Sequence, residues 1–141
     1  YANQGRFNDM GTSVLYCSND KSILEKEVPI KEDDIDIKKR ILVKIVSNRI
    51  LNLFPINYIF GKDEKFNGLI SEKDNDFSET VIKKHYIICN IVSAICSKIG
   101  YDGIVYKSVK SGEYINYAIF NVKEDEDLGI IDKLEITYNG F

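Results

Sequence analysis

Patterns for metal binding are missing from this chain. Its three cysteines, Cys17, Cys89 and Cys96, form no C-x-x-C pair, and its one histidine, His85, has no cysteine pair near it. A structural zinc site needs four closely spaced ligands, so no metal is expected. An odd number of cysteines leaves disulfides possible but unforced, and a reducing cytosol is the default setting. No apolar run approaches the ~18 residues of a membrane-spanning helix, and no signal-peptide pattern opens the chain. The expectation is therefore a cytoplasmic protein with no membrane partner. G-x-G-x-x-G, G-x-x-x-x-G-K-[ST] and G-x-S-x-G are absent, which disfavours phosphate cradling by a Rossmann turn or a P-loop. A basic excess is also lacking: 19 Lys and Arg face 22 Asp and Glu, for a net charge of −3. A protein that neutralises nucleic-acid phosphates is usually basic, so no direct nucleic-acid contact is expected. The chain opens at Tyr1 without an initiator Met and is read as the C-terminal part of something longer.

What is present fits one domain. The 141 residues are 44% hydrophobic and 29% charged, a globular profile with enough apolar material for a core. Residues 1–13 read as irregular polar backbone, with Gly5 and Gly11 permitting tight turns. Residues 13–18 read as a strand. Residues 19–28 read as a short helix capped by Asn19 or Asp20 and stopped by Pro29. The Ile-, Val- and Leu-rich run 35–54 reads as a β-hairpin about Ser47–Asn48 or one long bent strand, with a helix as the rival. Residues 61–76 read as a charged surface loop with at most a short helical turn. The clearest helix spans 77–100, with Ser78 as N-cap and Gly100 as stop. Its core face is read as Val81, His85, Ile88, Val92, Ile95 and Ile99. Strands at 101–109, 115–120 and 128–138 follow, separated by turns and a loop at 123–127. Strands joined mostly by hairpins, with few helices, predict an α+β fold with mostly antiparallel sheets rather than a doubly wound one.

Several side chains could carry chemistry. Arg6 offers a planar fork of donors suited to phosphate or carboxylate, and Gly5 and Gly11 allow backbone to approach a ligand closely. The plain alternative is an exposed arginine in a surface turn. Glu27 closes the short helix, where a solvated carboxylate is the ordinary reading. His85 reads as a half-buried core histidine rather than a base. Cys89 and Cys96 have core spacing and read as small hydrophobes. Ser108 and Asn116 fall at the ends of neighbouring strands, where they could fix a ligand or simply supply polarity at a hairpin edge.

Two blocks, GRFNDMGTSVLYCSNDKSILEKEV (5–28) and YDGIVYKSVKSGEYINYAIF (101–120), resemble the two halves of the RES domain signature. The first has the Gly-Arg-aromatic turn, the Leu-Tyr strand and the helix ending in Glu-Val. The second has the Tyr-Asp-Gly-Ile strand, a Ser, a Gly turn, then Asn and Phe. The family is named for an arginine, a glutamate and a serine, and the matching positions are Arg6, Glu27 and Ser108. Glu27 is chosen over Glu25 because it follows Tyr16 at the family spacing and precedes a Val. Between the blocks, residues 30–100 match only in general order.

The resemblance implies an ADP-ribosyltransferase-like fold spanning 1–141 and an enzyme that acts on NAD⁺. It implies a toxin that depletes NAD⁺ by hydrolysis or phosphorolysis of the nicotinamide–ribose bond, held in check by a cognate Xre-type antitoxin. Protein ADP-ribosylation and non-catalytic NAD⁺ binding are the alternatives. Arg6, Glu27 and Ser108 are then the expected catalytic residues, and Gly5, Arg6, Asn8, Tyr16, Ser108 and Asn116 the expected NAD⁺-binding ones. The family usually carries a further Arg upstream of the Gly-Arg turn, before the point at which this chain opens.

Overall fold

The computed structural model describes residues 5–9, 12–27, 39–71, 86–108 and 113–137, without the side chains of 25–27, 39, 40, 67, 69–71 and 135–137. It is a mixed α+β structure with two sheets. In chain order the elements are β1 (Leu15–Ser18), α1 (Lys21–Glu27), β2 (Lys39–Ser47), β3 (Leu53–Pro55), α2 (Ile56–Phe60), α3 (Glu64–Ser71), α4 (Ile87–Lys98), β4 (Gly103–Lys107), β5 (Ile115–Ile119), α5 (Glu124–Asp127) and β6 (Leu128–Thr137). The larger sheet has the order β1-β5-β4-β3, and the smaller is the ribbon β2-β6. All strand pairs are antiparallel except β3 with β4. That parallel pair needs a long crossover, and helices α2, α3 and α4 lie along it.

Local chemistry explains most boundaries. The Asp20 carboxylate accepts the Ser22 N–H at 2.7 Å and caps α1, the N-cap role expected of Asp there. Asp63 does the same for α3, accepting the N–H groups of Lys65 and Phe66 at 2.9 and 3.1 Å. At the end of α4, Tyr101 N–H donates to Cys96 O at 3.0 Å and Gly100 N–H to Ser97 O at 3.3 Å. This paired closure needs a left-handed residue, and Gly100 supplies it with φ of +101°.

The core gathers Phe7, Ile56, Cys89, Ile104 and Ala118, flanked by Val14, Phe54, Val92 and Tyr106. Phe7 therefore reaches across sequence to the second block, and its ring lies 4.6 Å from that of Tyr106. Arg49, in the link between β2 and β3, bridges to Asp102 at the head of β4 and to Asp127 just before β6, joining the ribbon to the larger sheet. Among the described residues, no helix is long and apolar enough to cross a membrane.

Five expectations change. Residues 39–47 do not fold back as a hairpin. They form one strand, paired with β6, and 53–55 join the other sheet. Ser47–Asn48 has no glycine to complete a tight hairpin turn, and Asn48 instead hydrogen-bonds residues 126 and 127. The charged stretch after Gly61 contains the eight-residue helix α3 rather than only a turn, because Asp63 caps it. Residues 124–127 form the helical turn α5 rather than loop. On α4 the buried residues are Cys89, Ser93 and Cys96, while Ile95 and Ile99 are exposed. Among the described strands, only β4 and β5 are consecutive antiparallel partners, so hairpins are not the main connection. The expected start of the long helix at 77–85, with Ser78, Val81 and His85, lies outside the described residues, as do Gly11 and Pro29.

Candidate functional site

The candidate site starts at the Gly5–Asn8 turn, closed by a hydrogen bond from Gly5 N–H to Asn8 O at 3.1 Å. Tyr16, on β1, holds this turn from the side. Its hydroxyl accepts the Phe7 N–H at 2.9 Å and donates to Asn8 Oδ1 at 2.8 Å. Asn8 Nδ2 donates onward to Thr12 O at 3.0 Å. From α4, the Ser93 hydroxyl donates to Phe7 O at 2.7 Å. Burial pushes the Tyr16 phenol up to about 12, although the Phe7 N–H and the Arg6 charge pull it down. The residue as a whole is 39% exposed, so the ring keeps an open side while its hydroxyl is committed inward.

Gly5 is required here for space. A Cβ on it would lie 2.4 Å from Asn8 Oδ1 and 2.6 Å from the Tyr16 hydroxyl. The close approach that glycine permits is taken by these two side chains.

Arg6 is only 7% exposed, which removes the reading of a surface-turn arginine. Its guanidinium carbon sits 5.0 Å from the centroid of the Tyr86 ring, within cation–π range. The Cys89 thiol is raised by burial, and the neighbouring Arg6 opposes that rise through its charge and a hydrogen bond. A guanidinium out of water is costly unless its donors are satisfied, so Arg6 is a built feature of this region.

The second block reaches the same place through strand register. Ser18 and Tyr106 flank Asn116 as its direct partners, and Tyr16 and Ile104 flank Ala118. Directly opposed residues in antiparallel strands share a sheet face, and so do residues two apart. Tyr16, Ser18, Asn116, Ala118, Ile104 and Tyr106 therefore lie on one face, the face against which Phe7 packs. Ser108 continues this alternation beyond β4, where its N–H donates to Tyr114 O at 2.9 Å. Ser108 and Asn116 are 3% and 4% exposed, unlike the ordinary polarity of a hairpin edge.

Gly5, Arg6, Asn8 and Tyr16 thus surround one turn, and Ser108 and Asn116 share the sheet face beneath it. Glu27 ends α1, which Asn19 and Asp20 join to β1; its side chain is outside those described. Sequence reasoning overlooked Tyr86 and Ser93, which hold Arg6 and the Phe7 carbonyl. The available signal was the spacing of Cys89, Ser93 and Cys96 on one side of α4. Among the described residues, no group of three His, Cys, Asp or Glu side chains could hold a metal ion.

No family model, curated protein or solved structure matches the chain.

Chemically, the site combines a buried cation, a backbone turn and several buried hydroxyl and amide groups on an apolar floor.

Proposed function

We propose that this chain is an ADP-ribosyltransferase-like RES domain that consumes NAD⁺ by breaking its nicotinamide–ribose bond, as a toxin controlled by an Xre-type antitoxin. The observation that carries the reading is the burial of Arg6, Asn8, Ser108 and Asn116. They come from two separate sequence blocks, which meet where the Phe7 ring packs on that of Tyr106.

In this reading Arg6 forks onto the pyrophosphate or the nicotinamide ribose. The open side of the Tyr16 ring stacks against the nicotinamide. Ser108 and Asn116 hydrogen-bond ribose or amide groups, and the Gly5–Asn8 turn lines the rim. Glu27 supplies the carboxylate. As the C–N bond lengthens, its electron pair leaves with nicotinamide and positive charge builds on the ribose. A carboxylate held near that carbon stabilises the charge. Water or phosphate then forms the new bond to the ribose carbon and gives up its proton.

The test is incubation of the protein with NAD⁺, following released nicotinamide and the fate of ADP-ribose. Wild type is expected to release nicotinamide with free ADP-ribose or its phosphate. Arg6→Ala and Glu27→Ala are each expected to lose about 10²–10³ in rate. Normal turnover by Glu27→Ala overturns the assignment of Glu27. ADP-ribose attached to protein indicates transfer, and binding of NAD⁺ with no nicotinamide released indicates a non-catalytic module.

A further inference from the structure

The ribbon formed by β2 and β6 carries an unusual amount of open apolar surface. Ile41 is 65% exposed and Ile130 and Ile131 are 58% each, with Val43, Val46 and Leu134 also exposed. Among the described elements, its main packing is with itself and with α5, the turn leading into β6. Two strands alone are marginal in water, whereas three or more with an apolar face are stable. Among the described residues, β2 is paired along one edge only.

We propose that β2 pairs with β2 of a second copy of this chain, in an antiparallel two-fold dimer centred on Val43, giving a four-stranded sheet β6-β2-β2-β6. A two-fold axis perpendicular to a sheet keeps each side chain on its own face, so opposed positions must be separated by an even number of residues. Centred on Val43, the sequence of β2 sets Val43 opposite itself, Ile41 opposite Ile45, Leu42 opposite Lys44, residue 40 opposite Val46 and residue 39 opposite Ser47. No like charges meet. The apolar stripe Ile41, Val43 and Ile45 continues across both copies on one face, where Ile130 lies directly beside Ile45. The two adjacent registers are worse. Centring on Leu42 sets basic residues 40 and 44 opposite each other, and centring on Lys44 sets that lysine opposite itself. Like charges placed directly opposite are destabilising.

The other edge of the ribbon is protected. The register of β6 skips Ile131, since Lys44 pairs with Asp132 and Ile45 with Ile130. Such a bulge disrupts the ladder and blunts an edge. Self-pairing about Asp132 or Lys133 would also set a charge opposite itself. Among the described strands, only β2 offers a long, regular edge whose sequence complements itself.

The test is the molar mass of the chain in solution at micromolar concentration, by sedimentation or light scattering. Wild type is expected to be a dimer. Val43→Lys and Val43→Glu are each expected to weaken dimerisation about tenfold or more, and mixing the two variants is expected to restore it. Ile131→Lys, on the other edge, is expected to leave the dimer intact. A monomeric wild type, Val43→Lys dimerising as tightly as wild type, no recovery on mixing, or loss of the dimer in Ile131→Lys overturns the proposal.

Discussion

Arg49 and Asp102 meet fork to fork: Nη1 donates to Asp102 Oδ2 at 2.9 Å and Nη2 to Asp102 Oδ1 at 2.8 Å. The same carboxylate accepts the Asn52 N–H at 2.8 Å, and Arg49 Nε lies 2.9 Å from Asp127 Oδ1. Asp102 also accepts the N–H groups of Phe120 and Asn121 on its carbonyl. One aspartate thereby fixes the entry to β3, the start of β4 and the exit of β5. Arginine suits this position because its planar guanidinium matches the carboxylate with two parallel bonds, which a lysine cannot do.

Asp102→Asn is expected to lower stability by about 1–3 kcal/mol, because a charged acceptor of several hydrogen bonds becomes neutral and misplaces a donor. The urea midpoint measures this. Hydrogen bonding to Arg49 holds both Asp102 and Asp127 below the ordinary aspartate range. A carboxyl lowered on folding stabilises the fold fully above its unfolded value of about 4 and loses that contribution as pH falls through the folded value. The loss of stability below about pH 4 should therefore be shallower in Asp102→Asn than in wild type. An unchanged acid limb contradicts the assignment.

Tyr16 is expected to control stability at the alkaline end. Burial raises its phenol to about 12, above the ordinary value near 10. The fold favours the neutral phenol, so this contribution is intact below about pH 10 and is lost as pH rises toward the folded value. Tyr16→Phe should remove that alkaline loss. It should also cost about 1–3 kcal/mol at neutral pH by stripping the Phe7 N–H of its acceptor. Urea midpoints from neutral to strongly alkaline pH distinguish the variant from wild type.

Gly5→Ala is expected to be destabilising even though the Gly5 backbone is not left-handed. The new methyl would meet Asn8 and Tyr16, which are held to each other by a 2.8 Å hydrogen bond. Overpacking of this kind costs about 1–3 kcal/mol. Spectroscopic titration should show the Tyr16 phenol ionising at lower pH as Tyr16 is displaced from its buried place. A Gly5→Ala protein with wild-type stability and titration contradicts the clasp.

Local signals explain which parts of the fold could be read in the sequence. Strand β1, helix α1, strands β4 to β6 and the stop at Gly100 follow from alternation, from the Asp20 cap and from a glycine where φ is positive. On α4 the core spacing of Cys89 and Cys96 was readable, but the isoleucine face was not, because isoleucines occur all round that helix and periodicity cannot choose among its faces. Packing beneath Phe7 chose the side with Cys89 and Ser93. Helix α3 was hidden by charged composition, although Asp63 was a cap in plain view. Asp102 left no local pattern because the partners of its carboxylate, Arg49 and the Asn52 N–H, are distant in sequence. Within the candidate site, residue types pointed to Arg6, Ser108 and Asn116, and the family resemblance added Tyr16. Their burial and the clasp on Gly5 depended on strand register, which composition does not carry.

The most direct measurement is nicotinamide release from NAD⁺ by wild type beside Arg6→Ala, from the first block, and Ser108→Ala, from the second, with folding of each checked by its urea midpoint. One site shared by both blocks predicts steady release by wild type and a fall of about 10²–10³ in each folded variant. No release by wild type, or wild-type release by a folded Ser108→Ala protein, would contradict it.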